Sequence, residues 1–377
     1  MSEVQGVLDG AIAPQQNTKL FGHEEVEAFL AQSYRSGKGH HAILIEGPEG
    51  IGKATLAFRF ANHVLNHPDP SSAPDVLADP DPQSLVSRQI TAGASHNLLH
   101  LTRPVDEKTG RVKSAITVDE VRRAGHFFSQ TSGTGNWRII IIDPADDLNR
   151  NAANAILQIL EEPPKRAMFL VLSHAPGKLL PTIRSRCMPL RLLPLSDADM
   201  VQSLDHLGIG SAGEKRDALI AASKGSVAQA LKLMNYGGSD IVEAFAEVMS
   251  AEGPGARKKM HKLAEVLAQK DGDIVLGFFM EHVTEELMER ARAAAMAGDI
   301  AAAERHARLS SMLAERISVA QPYHLVKMQM LLSNLEHARG VSRARDPMER
   351  TIVLAFNPLP SCRPHAVTFP RTSLSCH

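Results

Sequence analysis

The sequence predicts an α/β domain followed by an all-helical chain: a three-layer domain with a parallel sheet, then a small helical lid, then a helical bundle. Three observations carry this. A glycine-rich turn, Gly47–Lys53 (GPEGIGK), lies between an apolar run ending at Ile45 and a helical pattern that includes Leu56, Ala57, Phe60, Ala61, Val64 and Leu65. Apolar strand-length runs then alternate with helix-period segments across residues 40–190, the alternation that builds parallel sheets. Beyond Leu195 such runs stop, and segments rich in Ala, Leu, Met, Glu and Arg continue to residue 338.

Residues 1–17 are polar and predict a mobile leader without a basic, apolar signal segment. A helix opens at Thr18–His23 and places Val26, Phe29 and Leu30 at helical spacing. Ser36–His41 is a polar turn into the first strand. The proline- and aspartate-rich interval from His67 to Pro82 reads as loop, and Leu98–Arg103 as a second strand. Val105–Ala115 predicts a hairpin or loop, and Val118–Phe128 an amphipathic helix. Trp137–Ile142 is almost wholly apolar, as a strand buried on both faces must be. Asn149 caps a helix that stops at Glu161-Glu162-Pro163-Pro164. Met168–Ser173 is another buried strand and Leu179–Arg186 a short helix. The boundaries implied are 1–17, 18–195, 196–238, 239–340 and a 341–377 tail without periodicity, expected to be disordered.

Composition excludes several function classes. Net charge is −1, from 41 basic and 42 acidic residues, so nucleic acid has no overall electrostatic attraction to the chain. Cys187, Cys362 and Cys376 have no paired spacing, which predicts no cysteine zinc site and suits a reducing cytoplasm. No run approaches about 18 continuous apolar residues, so no membrane span is expected. His40 and His41 are adjacent, and in extended chain they point to opposite sides. His63 and His67 form a lone pair on one helix face, and all four read as solvated or packing histidines rather than metal ligands. Trp137 is expected in the core, as are Met312, Leu313, Met328, Leu331 and Leu332 in the bundle. The run Arg257-Lys258-Lys259 with Lys262 reads as a solvated helix face.

The chemistry-bearing residues cluster at the glycine-rich turn. Gly47, Gly50 and Gly52 allow successive N–H groups to face one concavity, and Lys53 adds a positive charge suited to β- and γ-phosphates. The pattern requires a hydroxyl after the lysine to hold Mg²⁺. Ala54 stands there instead, with Thr55 one residue late. The natural partner is the strand ending at Asp143, which either carries Mg²⁺ or caps a strand end. Asp146 and Asp147 follow, aimed elsewhere by Pro144. Arg186, in Ser185-Arg186-Cys187, is either half of a surface ion pair or an arginine presented to a neighbouring subunit's nucleotide.

Set in order, LFGH (Leu20–His23), His40-His41-Ala42, GPEGIGKATLA (Gly47–Ala57), the strand ending at Asp143, NAANAILQILEEPP (Asn151–Pro164) and LPTIRSRC (Leu180–Cys187) resemble the bacterial clamp-loader branch of the AAA+ ATPases. The resemblance covers residues 20–340 in plan. It implies a P-loop domain, a lid and an oligomerising helical collar. The implied partners are gamma/tau-like motor subunits and a delta-like subunit in a hetero-pentamer, a sliding clamp, and primed DNA. DNA would be met through its phosphates, in a chamber lined partly by the helix beginning near Asn149. In hydrolysing relatives a glutamate follows the strand-end aspartate, and an arginine occupies the lid position matched by Ala228; here Pro144 and Ala228 stand in those places. With Ala54, these losses imply a largely non-hydrolysing subunit that requires no cofactor, retains at most residual ATP or ADP binding at Gly47, Gly50, Gly52, Lys53, Thr55 and Asp143, and donates Arg186 in trans. The interval after the P-loop helix, 67–99, lacks the four cysteines of a zinc module found in some relatives, so no zinc is expected. An active motor of the same branch, or an unrelated P-loop kinase, are the alternatives.

Overall fold

The computed structural model describes residues 8–106, 112–129, 135–209, 214–235, 244, 247–248, 255–267 and 272–320. The chain divides into two compact units, Met1–Asn235 and Tyr236–His377.

The first unit is built on five parallel strands: β1 (Ala42–Glu46), β2 (Leu98–Leu101), β3 (Arg138–Ile142), β4 (Ala167–Ser173) and β5 (Met188–Arg191), in the order β2-β3-β4-β1-β5. Strand alternation divides the core in two. Ile43, Ile45, Ile139, Ile141, Leu170 and Leu172 face one side, under α1 (Glu24–Arg35), α2 (Lys53–Asn66) and α3 (Leu85–Thr91). Ala42, Leu44, Ile140, Ile142, Phe169 and Val171 face the other, under α4 (Val118–Ser129), α5 (Arg150–Glu161) and the single turn α6 (Pro181–Arg184). The unbroken run Ile139–Ile142 is therefore required by geometry, because successive side chains enter opposite apolar layers.

The predicted strands and helices of the α/β domain are present, but α1 opens at Glu24 with His23 as its N-cap, and Thr18–Gly22, expected to open it, are not helical. The Asn149 side chain caps α5 by accepting from the Ala152 N–H at 2.8 Å. Two further elements were not legible. β5 is a short edge strand of which only Leu190 is buried, and Pro189 is tolerated because an edge strand can do without one donor. α3 follows the proline-rich interval; Ser84 caps it, and Ser87 receives the Asn62 amide at 2.8 Å. Trp137, expected in the core, is half-buried just before β3, its indole N–H donating to the Pro68 carbonyl at 3.1 Å. His40 and His41 do not diverge as expected. Their rings stack at 4.6 Å in the turn that precedes β1.

The lid consists of α7 (Asp197–His206), α8 (Glu214–Ser223) and α9 (Val227–Asn235), around Met200, Leu204, Ile220, Ala230 and Leu231. The leader differs from expectation over residues 8–17. Leu8 and Ala11 pack on the lid core, Ala13 is buried, and the Asn235 amide donates to the Asp9 carbonyl at 2.7 Å. Apolar residues spaced within a polar segment found a surface to cover. Residues 1–7 lie outside the described residues.

The second unit contains α10 (Gly255–Leu267) and two long helices, α11 (Gly272–Met296) and α12 (Ile300–Ala320), which pack as a hairpin across a turn at Gly298. Phe279, Val283, Leu287 and Ala291 on α11 and Leu309 on α12 are buried. The basic run is exposed at Arg257, Lys258, Lys259 and Lys262. Met312 is half-buried, while Leu313, Met328, Leu331, Leu332 and the 341–377 segment lie outside the described side chains.

Candidate functional site: a phosphate-type cradle and an arginine at opposite strand ends

All five strands run the same way, so the loops after them share one edge of the sheet, where ligands of α/β domains collect. The glycine-rich turn leaves β1 there, Asp143 follows β3, and His174 follows β4. Gly52, at φ +101°, is the N-cap of α2, and Leu20 lies within 2.6 Å of where a Cβ on it would sit. The LFGH segment thus covers the turn, and His23 Nε2 meets the Ile51 carbonyl at 2.7 Å.

Lys53 does not project into the concavity as free charge. Its side chain is buried, and Nζ donates to the Gly47 carbonyl at 2.6 Å and to the Pro48 carbonyl. Burial lowers the ammonium to about 8, against the opposing pull of Asp143, Glu49 and Asp146. Ala54, the second residue of α2, is half-buried against the core, and Thr55 is buried.

The acids after β3 are also engaged. Asp143 is half-buried, with Oδ2 3.5 Å from His100 Nε2. Asp146 accepts from Ser173 Oγ at 2.8 Å, from the His174 N–H at 2.6 Å and from the Ala175 N–H at 3.3 Å. It fastens the end of β4 to the end of β3 rather than capping its own turn. Asp147 pairs with Arg103 at 3.1 Å, while burial raises its carboxyl.

His174 was not singled out by sequence reasoning, because a lone histidine after a strand has no motif. The protein around its exposed ring partly desolvates it, and with the Lys53 charge this lowers its imidazole. Glu49, Asp146 and Asp143 oppose that shift.

The lid closes directly on the turn. The Val227 N–H donates to the Gly50 carbonyl at 3.0 Å, and Ser226 Oγ to the Glu49 carbonyl at 2.8 Å. Gly50 has φ +76°, and a Cβ there would lie 2.3 Å from the Ala228 Cβ. Ala228 therefore sits directly against the glycine turn.

The lysine is bonded to its own loop, Ala54 offers no hydroxyl directly after it, and Asp146 is taken up by the end of β4. Among the described residues, no three His, Cys, Asp or Glu side chains are grouped to hold a metal ion.

Arg186 lies at the other end of the strands. It precedes β5, whose residue Leu190 pairs with Ile45, whereas the turn follows β1. The four residues of β5, roughly 13 Å of strand, lie between the two levels. Its Nη2 donates to Glu161 Oε1 at 2.6 Å and its Nη1 to the Thr182 carbonyl at 3.0 Å. The ion-pair reading of Arg186 is thus realised within the chain. The sheet brings Gly47, Gly50, Gly52, Lys53, Thr55 and Asp143 to one edge and keeps Arg186 from them.

With this geometry in hand, residues 22–196 match the family described as DNA polymerase III, delta subunit. The delta' subunit of DNA polymerase III from Pseudomonas aeruginosa is 33% identical over 240 residues, covering 63% of this chain and 67% of that one. The delta' subunit from Bacillus subtilis is 28% identical over 269 residues, 70% of this chain and 72% of that one. The tau subunit from Escherichia coli is 26% identical over 274 residues; the match covers 71% of this chain but only 40% of tau. A parallel P-loop sheet, a lid seated on its phosphate turn and these relatives agree: the chain belongs to the clamp-loader family of AAA+ proteins, the subunits of DNA polymerase III.

Proposed function

We propose that this chain is a clamp-loader subunit of the delta-prime kind, a stator that does not turn over ATP and that completes a neighbouring motor subunit's ATP site with Arg186. The observation that carries this reading is the Lys53 ammonium, held by the Gly47 and Pro48 carbonyls of its own loop. A nucleotide phosphate would have to displace both bonds to recruit it, and no hydroxyl at position 54 would then hold Mg²⁺. Metal, oriented water and charge stabilisation make up most of phosphoryl-transfer catalysis, and the groups for each are replaced or engaged. Residual ATP or ADP binding without turnover is the most this cradle supports.

The placement of Arg186 supports the other half of the reading. A guanidinium before β5, with the roughly 13 Å of that strand between it and its own cradle, is placed to meet phosphate on another subunit. The partners would be gamma/tau-like motor subunits and a delta-like subunit in a hetero-pentamer, with the sliding clamp and the phosphates of primed DNA. The location would be cytoplasmic. Among the described residues no helix is long and apolar enough to cross a membrane.

The similarity to tau favours a second reading, a hydrolysing motor, which Ala54, Pro144 and Ala228 oppose. An ATPase assay on the purified chain separates them. The expected result is no magnesium-dependent turnover above background; turnover abolished by Lys53→Ala would establish the motor instead. In the reconstituted assembly, Arg186→Ala should leave assembly intact and lower DNA-stimulated hydrolysis by the partners. Unchanged hydrolysis would remove Arg186 from the site.

A further inference from the structure

The group that holds Arg186 comes from a different helix and sits where a helix disfavours it. Glu161 is the last residue of α5, and the last turn of α5 carries no basic side chain. Exposed carbonyls make that end of a helix partially negative, so an acid there is unfavourable unless a cation lies nearby. The cation is Arg186, 25 residues further along the chain.

Both backbones are anchored. Leu160 is buried beside Glu161, and Pro163-Pro164 stiffen the exit from α5. Ile183 and Cys187 are buried on either side of Arg186. What is left to determine is the direction of a long, rotatable side chain, and Glu161 with the Thr182 carbonyl supplies it. A longer contact, 3.4 Å, reaches Ser185 Oγ. A guanidinium has five N–H donors in a fixed plane, so orienting one edge orients the rest. Among the described residues nothing bonds Nε, and Nη2 keeps a second hydrogen.

We infer that Glu161 is a positioning residue for Arg186: it holds one edge of the guanidinium so that the remaining N–H groups face an incoming γ-phosphate. Glu161 itself does not touch that phosphate. This rests on the reading of Arg186 as an arginine acting in trans. Stability is not its main contribution, since an exposed ion pair adds little and the carboxylate opposes the helix end.

The test uses the full chain in the reconstituted clamp loader, with assembly checked by gel filtration and DNA-stimulated ATP hydrolysis as the readout. Glu161→Gln should lower kcat at the site this chain completes by about tenfold, with KM for ATP unchanged. The melting temperature of the isolated variant should stay level or rise, because the acid has left the helix end. Arg186→Ala should lower kcat further, and the double variant should match Arg186→Ala alone, as nothing then remains to be positioned. Wild-type kcat in Glu161→Gln beside a slow Arg186→Ala would overturn the positioning role and leave the arginine's role intact. A faster Glu161→Gln would make the pair a restraint, and a lower melting temperature would make it structural; either overturns the inference. Wild-type kcat in Arg186→Ala would remove the underlying reading itself.

Discussion

Lys53 and Arg186 are the two cations that sequence pattern assigns to phosphate, and the fold uses them differently. Each position could be read from the residues. Which partner each cation had taken could not, because Gly47, Pro48 and Glu161 become neighbours only through turn geometry and helix packing. Histidine 63 makes the same point. Its spacing to His67 suggested a solvated or packing residue, and it lies buried, edge-on to Tyr34 at 5.8 Å, with Nε2 lacking a partner among the described residues. Burial, reinforced by His67, pushes the imidazole down to about 4 from its ordinary 6.5. Between those two values the unfolded chain binds more protons than the folded one, so acidification favours unfolding. The folded state should lose up to about 3 kcal/mol from this residue as pH falls through the window. A His63→Phe variant keeps the aromatic packing and does not titrate. Urea unfolding at neutral pH and near pH 4.5 should show the wild type losing about 2 kcal/mol more than the variant.

At the scale of elements, strands buried on both faces and capped amphipathic helices were legible because their constraints are local. The Ile139–Ile142 run and the Asn149 cap are examples. β5 was not, since an edge strand with one buried residue carries almost no pattern. Nor was the seat of the lid, which depends on residues 177 positions apart in sequence, Gly50 with Val227 and Glu49 with Ser226. That seat yields a mutational expectation. Gly50→Ala combines a positive φ with a Cβ placed against Ala228 and its backbone nitrogen. It should cost about 1–3 kcal/mol and loosen the lid, seen as faster proteolysis within 196–235. Asp146→Asn removes the charge from three hydrogen bonds to the end of β4 and should cost about 1–3 kcal/mol in thermal or urea unfolding.

For the whole molecule, the shift from strand-and-helix alternation to helices alone announced two kinds of architecture. It did not announce that leader residues 8–17 would belong to the lid. The two sheet layers and the lid core all lie within the first unit. Residues 8–235 expressed alone should therefore unfold in one cooperative transition, and deleting 8–17 should lower its midpoint. An unchanged midpoint would mean that Leu8, Ala11 and the Asp9 carbonyl contribute nothing to the lid.

The separation of cradle and arginine along the strands also gives the subunit a polarity. Contacts that join one sheet edge to the opposite edge of the next molecule are head-to-tail, so copies related by a twofold axis would waste both. Under the proposed function, a link that lends its arginine and does not itself turn over nucleotide belongs at one terminus of a row. Under that reading any arc of such links has a defined first member, and this is the place the proposal gives the chain.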